Sequence, residues 1–149
     1  EIFSFYTPYS QAPERLETVL EVNQFMARQI DTLSSGQQQR VQLARCMMQV
    51  WESAESGMGI LLFDEPFDAL DLAYQIKWLA LLHQLKAVGN IIVIAHHQLM
   101  MLTECALDDV LILQAGQIEM FGTIAEKWSP QCLVDYFGIS SAQIPTYLR

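Results

Sequence analysis

Positive charge is scarce in this chain of 149 residues: eight lysines and arginines stand against seventeen aspartates and glutamates, and the net charge is −9. Because proteins that bind duplexes use clustered cations to displace counterions, this balance argues against a nucleic acid as partner.

Long apolar runs are lacking too. Ile91 to Ala95 is far shorter than the roughly 18 residues that span a bilayer, so any membrane contact is expected to run through a partner protein.

Cysteine is also sparse. The three cysteines, Cys46, Cys105 and Cys132, are odd in number and widely spaced within apolar periodic segments. This pattern favours buried thiols over a disulfide framework or a metal site. By contrast, hydrophobic residues make up 52% of the chain, which is enough for a sizeable core.

Apolar periodicity predicts alternating helices and strands. The pattern over residues 13–26 favours an amphipathic helix. A second helical pattern follows Ser35, whose side chain is expected to form a capping box with Gln38. Two continuous apolar runs, over residues 60–63 and 91–95, predict buried parallel strands.

A helix over residues 72–85, with Asp71 as its N-cap, is expected between these strands. Beyond them the pattern predicts a helix over residues 98–105 and a hairpin of strands over residues 110–113 and 117–121. Short helices are expected around Trp128, Leu133 and Tyr136. The order of strand, helix, strand and helix predicts an α/β layered domain with a parallel sheet.

Two consecutive carboxylates, Asp64 and Glu65, directly follow the first apolar strand. In open parallel sheets, ligands bind at the carboxyl ends of the strands. One carboxylate can hold Mg²⁺ through water, while its neighbour polarises an attacking water as a general base. A solvated strand end before Pro66 explains the same pair without chemistry, so this motif alone leaves both interpretations open.

Two further motifs have both a functional and a structural interpretation. The segment from Leu33 to Gln37 opens the second helix with small side chains, backbone N–H groups and the helix dipole, which favour a bound anion. A plain capped helix is the alternative. His96 follows the second strand, where its imidazole can hydrogen-bond a phosphate oxygen or an attacking water, or serve the fold alone.

Taken together, four segments resemble the ABC ATPase family in their order and spacing. They correspond to the signature motif, Walker B, the D-loop and the switch histidine of that family: Leu33 to Arg40, Leu61 to Pro66, Ala69 to Asp71 and Ile92 to His96. The resemblance implies the carboxy-terminal part of a P-loop NTPase (RecA-like) parallel sheet with the ABC helical subdomain. The helical signalling subdomain would occupy residues 1–58, and the RecA-like core residues 59–149.

The same resemblance assigns roles to individual residues. Asp64 would assist a Mg²⁺ site through water, Glu65 would be the catalytic base, and His96 would sense the γ-phosphate of ATP. Asp71 would act at a dimer interface. The nucleotide of the opposite subunit would meet the signature residues Ser34, Ser35, Gly36 and Gln37.

The chain departs from the family pattern at two positions. Ser35 stands where the family usually has glycine, and a positive φ there would cost Ser roughly 1 kcal/mol relative to Gly. His97 stands where the family usually has an acid.

The Gly-x-x-x-x-Gly-Lys-Ser/Thr loop (Walker A) does not occur, so the resemblance implies a carboxy-terminal fragment that does not hydrolyse ATP alone.

The resemblance also implies ATP and Mg²⁺ as cofactors, a second ATP-binding subunit in a head-to-tail homodimer, a membrane permease subunit, and a peripheral place on the cytoplasmic face of the inner membrane. Residues 40–45, 52–59 and 70–75 look most similar to importers of vitamin B12, haem and iron-siderophores, with vitamin B12 favoured and haem next.

Two alternative functions stay open. A soluble ABC-type ATPase of DNA repair or chromosome organisation should carry long coiled-coil heptads or basic patches. A non-enzymatic module would dock onto a membrane subunit through residues 14–31.

Overall fold

The structure, a computed structural model, describes residues 11–97 and 107–144. The chain forms two compact units, Glu1–His97 and Gln98–Arg149. The helix predicted over residues 98–105, and Cys105 with it, lies outside the described residues. No helix within the two described ranges is long and apolar enough to cross a membrane.

The first helix, α1 (Glu14–Leu20), ends earlier than its periodicity predicts. Glu21 adopts a left-handed conformation (φ 50°), and its N–H donates to the Glu17 carbonyl. A carboxylate oxygen of Glu17 then accepts the backbone N–H groups of Val22 and Asn23, each at 2.9 Å. The prediction of one helix over residues 13–26 is wrong because this side chain satisfies donors that a longer helix would use. Two 3₁₀ turns follow, Asn23–Phe25 and Ile30–Thr32.

The second helix, α2 (Ser35–Glu55), has Ser34 as its N-cap. Ser34 Oγ accepts the N–H of Gln37 at 3.3 Å, and Gln37 Oε1 accepts the N–H of Ser34 at 3.0 Å. The capping box predicted for Ser35 and Gln38 is therefore wrong by one residue, because Ser34 has the extended backbone that a cap needs. Ser35 lies in the first helical turn without a positive φ, so it carries no backbone strain.

One side of α2 packs into the core of the first unit. Four apolar side chains at helical spacing are buried: Val41, Ala44, Met48 and Trp51. Cys46 is exposed, so the prediction of a buried thiol is wrong at this position. Residues two positions apart on a helix do not face the same side, which separates Cys46 from both Ala44 and Met48.

Strands β1 (Ile60–Asp64) and β2 (Ile91–Ala95) pair in parallel, with Ile60 opposite Ile91 and Asp64 opposite Ala95. Two parallel strands are thus confirmed, but they are covered on one face only. The other face carries four side chains that are each more than half exposed: Ile60, Leu62, Ile91 and Val93. Strands that are apolar on both faces need a layer on each side, and the described residues supply one. The prediction of fully buried strands is therefore wrong for this chain.

The third helix, α3 (Leu72–Ala87), connects these strands, and Asp71 is its N-cap as predicted. Asp71 Oδ1 accepts the N–H of Tyr74 at 3.1 Å. Asn90, which follows the helix, is buried, and its side chain hydrogen-bonds to three other parts of the chain. Its side-chain amide donates to the carbonyls of Ala54 and Leu85, each at 2.7 Å, and its oxygen accepts the N–H of Gly59 at 2.8 Å.

The second unit contains the predicted hairpin. Strands β3 (Asp109–Gln114) and β4 (Gln117–Thr123) are antiparallel, with a register shift between Ile112 and Leu113. Two short helices follow as expected, Ile124–Lys127 and Pro130–Phe137, and then a 3₁₀ turn, Ser141–Gln143. Cys132 lies in the second of these helices and is buried, as predicted.

Candidate functional site

The carboxyl ends of β1 and β2 bring the predicted catalytic residues together. Asp64 ends β1 opposite Ala95, the last residue of β2, so Glu65 and His96 emerge from neighbouring strands. The N–H of Glu65 donates to the Ala95 carbonyl at 2.9 Å and extends the pairing by one residue. Asp64 itself is exposed at this edge of the sheet.

Two histidines bind the Glu65 carboxylate. Its Oε2 lies 2.5 Å from His96 Nδ1, and its Oε1 lies 2.7 Å from His97 Nδ1. The His96 side chain is 9% exposed and contacts the Phe67 ring edge-on at 5.6 Å between centroids, whereas the His97 side chain is 64% exposed. One histidine is therefore fixed in the core, and the other is open to solvent.

These contacts change the acidity of the cluster. Burial tends to raise the pKa of Glu65, but the hydrogen bonds from His97 and His96 outweigh it and lower that pKa below its ordinary value. The hydrogen bond to Glu65, the charge of Glu65 and the charge of Asp68 together raise the pKa of His97. Glu65 is consequently ionised at neutral pH. A carboxylate has about four lone-pair positions, so it can accept both histidines and still accept another proton donor.

One nitrogen of this cluster lacks a partner. Among the described residues, His96 Nε2 is buried and makes no hydrogen bond. A buried polar atom left unpaired costs about 1–3 kcal/mol, which makes it a position for a ligand to complete. When His96 Nδ1 donates to Glu65, the neutral ring presents Nε2 as an acceptor and the imidazolium presents it as a donor.

The predicted nucleotide-binding residues meet at a second place, an open cavity of about 360 Å³ at the start of α2 and α3. Its polar lining includes Ser34, Gly36, Gln37, Arg40, Asp71 and Tyr74. Four of the five predicted residues thus line one cavity, while Ser35 does not. The cap leaves donors available here, because Ser34 Oγ accepts a hydrogen bond and keeps its own proton, and Gln37 accepts through Oε1 and keeps its amide protons.

Gly36 is positioned by a close backbone contact. A Cβ at this residue would lie 2.7 Å from the carbonyl oxygen of Ala69, so only glycine fits the observed approach. Ala69 has a positive φ of 58°, an uncommon backbone conformation for a residue other than glycine. The neighbouring Gln39 side chain donates to the Glu65 carbonyl at 3.3 Å. The first turn of α2 therefore contacts the loop that follows β1.

Arg40 is a site residue that sequence reasoning did not single out. It is 7% exposed, donates to the Leu20 carbonyl at 3.0 Å, and stacks on the Tyr74 ring at 4.1 Å from its centroid. The motif placed Arg40 at the end of the signature segment, but only the fold shows that it borders the same cavity as Asp71. Asp68 and His97 are likewise brought to Glu65 by the fold.

This architecture defines the class of protein. A parallel strand pair with carboxylates at its edge, beside a helix opened by the signature segment, confirms the predicted α/β fold of the P-loop ATPase domains of ABC transporters. A solved inward-facing metal-chelate type ABC transporter is similar over 91% of this chain and 53% of its own, with 25% identity and a TM-score of 0.62. A scan against models of protein families gives no match.

The curated proteins that this chain resembles include ATP-binding proteins of importers. The vitamin B12 import ATP-binding protein BtuD of Vibrio vulnificus is 34% identical over 127 residues, which are 85% of this chain and 49% of that protein. The hemin import ATP-binding protein HmuV of Thermobifida fusca is 37% identical over 117 residues, 78% of this chain and 38% of that protein. The chain spans about half or less of the curated relatives it matches. The resemblance to ABC transporter ATP-binding subunits is confirmed.

Proposed function

We propose that this chain supplies the signature-motif and Walker B part of the ATP-hydrolysing subunit of an ABC importer. The observation that carries the proposal is the Glu65 carboxylate, held by His96 at the carboxyl edge of a parallel strand pair. The similarity to vitamin B12 and hemin import ATP-binding proteins supports the same assignment.

Glu65 would act as the general base of hydrolysis. Its carboxylate accepts hydrogen bonds from His96 and His97 and retains lone pairs that can take a proton from water. Asp64 is exposed beside it, so this carboxylate can reach Mg²⁺ through the water ligands that this ion keeps. A bound Mg²⁺ would neutralise charge on the phosphates of ATP.

His96 would sense the nucleotide. Its buried Nε2 has no partner within the described part of the chain, which fits a hydrogen bond to a phosphate oxygen or to the attacking water. Its Nδ1 is hydrogen-bonded to Glu65, so the same ring orients the base. Such a contact couples the presence of phosphate to the position of the carboxylate.

The cavity beside α2 would meet an ATP molecule held by a second ATP-binding subunit in a head-to-tail homodimer. The Ser34 hydroxyl and the Gln37 amide keep protons to donate to phosphate oxygens. The Arg40 guanidinium adds positive charge to the same cavity. Asp71 also lines this cavity, where it would contact the partner.

The exposed apolar face of the sheet indicates that a further part of the subunit packs against it. Ile60, Leu62, Ile91 and Val93 expose 51–73% of their surface on one side of β1 and β2. Burying apolar side chains of this size stabilises a protein by about 1.5–3 kcal/mol each. We infer that a segment carrying the phosphate-binding loop covers this face in the active subunit.

Vitamin B12 is the transported substrate that we propose, and haem is the alternative. Relatives of both kinds match the chain at similar identity, so neither similarity excludes the other. Import of either substrate would require a membrane permease subunit, with this ATPase bound peripherally at the cytoplasmic face of the inner membrane.

The test is Mg²⁺-dependent ATP hydrolysis by a polypeptide that joins this chain to a Walker A-bearing segment. Glu65→Gln is expected to lower turnover at least ~100-fold, because the amide cannot take up a proton. Glu52→Gln, which neutralises an exposed carboxylate on α2, is the matched control and should leave turnover unchanged. Equal turnover in wild type and Glu65→Gln would remove Glu65 from the proposed role.

A further inference from the structure

Four side chains with metal-ligating atoms converge at the carboxyl edge of the sheet: Glu65, Asp68, His96 and His97. Each offers one nitrogen or oxygen, and these atoms all lie within 4.8 Å of one another. The set includes Asp68, which has no part in the hydrolysis proposed above, and His97, whose part there is limited to its hydrogen bond to Glu65. It therefore calls for an explanation of its own.

Local structure fixes the positions of all four residues. The parallel pairing of β1 with β2 places Glu65 beside the two histidines that follow Ala95. The chain then turns back after Pro66, and the N–H of Asp68 donates to the Glu65 carbonyl at 3.2 Å. Glu65 adopts a left-handed conformation (φ 46°) that permits this tight turn. The cluster is thus built by regular pairing and one short turn.

We propose that these four side chains form a binding site for Zn²⁺. Two imidazoles with two carboxylates match the nitrogen and oxygen ligands of Zn²⁺, whereas Mg²⁺ prefers oxygen ligands alone. The cluster has the number of ligands that a closed tetrahedral site needs.

The observed spacing suits this ion after small side-chain adjustments. Zn²⁺ binds nitrogen and oxygen at about 2.0–2.2 Å, so tetrahedral ligand atoms lie about 3.3–3.6 Å apart. The widest separation in the cluster, 4.8 Å at most, has to contract by about 1.3 Å. The contacts of the Glu65 carboxylate with His96 and His97, at 2.5 and 2.7 Å, have to lengthen by at least about 0.6–0.8 Å. The exposed His97 ring can make such a movement, while the buried His96 ring serves as the fixed ligand.

The site goes beyond the proposed ATPase function. If Glu65 is the catalytic base, Zn²⁺ bound to its carboxylate would withhold that base from water and inhibit hydrolysis. This consequence rests on the proposed function, whereas Zn²⁺ binding itself does not. A binding measurement therefore tests the site even if the ATPase assignment fails.

The experiment titrates the full 149-residue chain with Zn²⁺ by calorimetry, in an excess of Mg²⁺. We expect one Zn²⁺ per chain, without competition from Mg²⁺. The variants His97→Ala and Asp68→Asn should each weaken binding at least about 10-fold. Substitution of Co²⁺ should give the visible spectrum of a tetrahedral site in the wild type and lose it in His97→Ala.

The matched control is His83→Ala, which removes a histidine of α3 outside the cluster and should leave the affinity unchanged. Far-ultraviolet circular dichroism checks that His97→Ala keeps the fold, as expected for a side chain that is 64% exposed. Absence of Zn²⁺ binding, equal affinity of wild type and His97→Ala, or displacement of Zn²⁺ by Mg²⁺ would each overturn the proposal.

Discussion

Replacing Gly36 by alanine tests the contact that joins the signature segment to the loop after β1. The new Cβ would lie 2.7 Å from the Ala69 carbonyl oxygen, and that neighbour is backbone rather than a flexible side chain. Ordinary contact begins at 3.4 Å, so the carbonyl must move by about 0.7 Å. Ala69 already holds a strained positive φ of 58°. The movement therefore has a cost.

Whether Gly36→Ala lowers or raises the unfolding free energy distinguishes the contact with Ala69 from helix propensity. Overpacking of this kind destabilises by about 1–3 kcal/mol. Alanine in a helix is otherwise more favourable than glycine, by up to about 1 kcal/mol. Because Gly36 lies in the first turn of α2, where the propensity gain is smallest, we expect a net loss of about 1–2 kcal/mol of unfolding free energy.

Urea unfolding of the chain, followed by tryptophan fluorescence, measures this difference. Trp51 and Trp78 are both buried and report the loss of the core. Ser35→Ala is the matched control, because it changes the adjacent helical residue outside the cavity, and it should be neutral or stabilising. A Gly36→Ala variant as stable as the wild type, or more stable, would refute the contact as the reason for glycine.

Three further predictions concern other parts of the chain. Asn90→Ala should lower the unfolding free energy by about 3 kcal/mol in urea denaturation, since it removes three hydrogen bonds of about 1 kcal/mol each and leaves the Gly59 N–H without a partner. Hydrogen bonds from Lys77 and Tyr74 lower the pKa of Glu21 from 4.5. The stability difference between wild type and Glu21→Gln should therefore be complete above pH 4.5 and disappear as the pH falls through the lower folded-state pKa. Calorimetry should detect no ATP binding by the 149 residues alone, because they contain no Walker A loop, and micromolar binding would contradict this.

The sequence predicts those parts of the fold that follow from local patterns. The parallel strands, the N-cap at Asp71 and the hairpin all arise from short-range signals, and the structure contains them. The end of α1 could not be predicted in this way. It depends on the Glu17 carboxylate folding back onto the N–H groups of Val22 and Asn23, a competition that apolar periodicity does not register.

The same distinction between local patterns and tertiary contacts applies to the candidate site. Asp64, Glu65 and His96 were predicted from strand ends, and the structure places Glu65 and His96 in contact. The closeness of Asp68 and His97 to Glu65 depends on a left-handed turn at Glu65 and on strand register, which single residues do not reveal. The contact between Gly36 and Ala69 is likewise tertiary, because 33 positions separate the two residues. Long-range packing decides these neighbours.

The catalytic role of Glu65 is tested most directly by identifying the nucleotide bound to the Glu65→Gln variant of the polypeptide that joins this chain to a Walker A-bearing segment. After incubation with ATP and Mg²⁺, the bound nucleotide is extracted and separated from its products. If Glu65 is the catalytic base, the variant binds ATP and retains it unhydrolysed, while the wild type and Glu52→Gln release ADP and phosphate. ADP formed by Glu65→Gln at the wild-type rate would contradict the claim that Glu65 is the catalytic base.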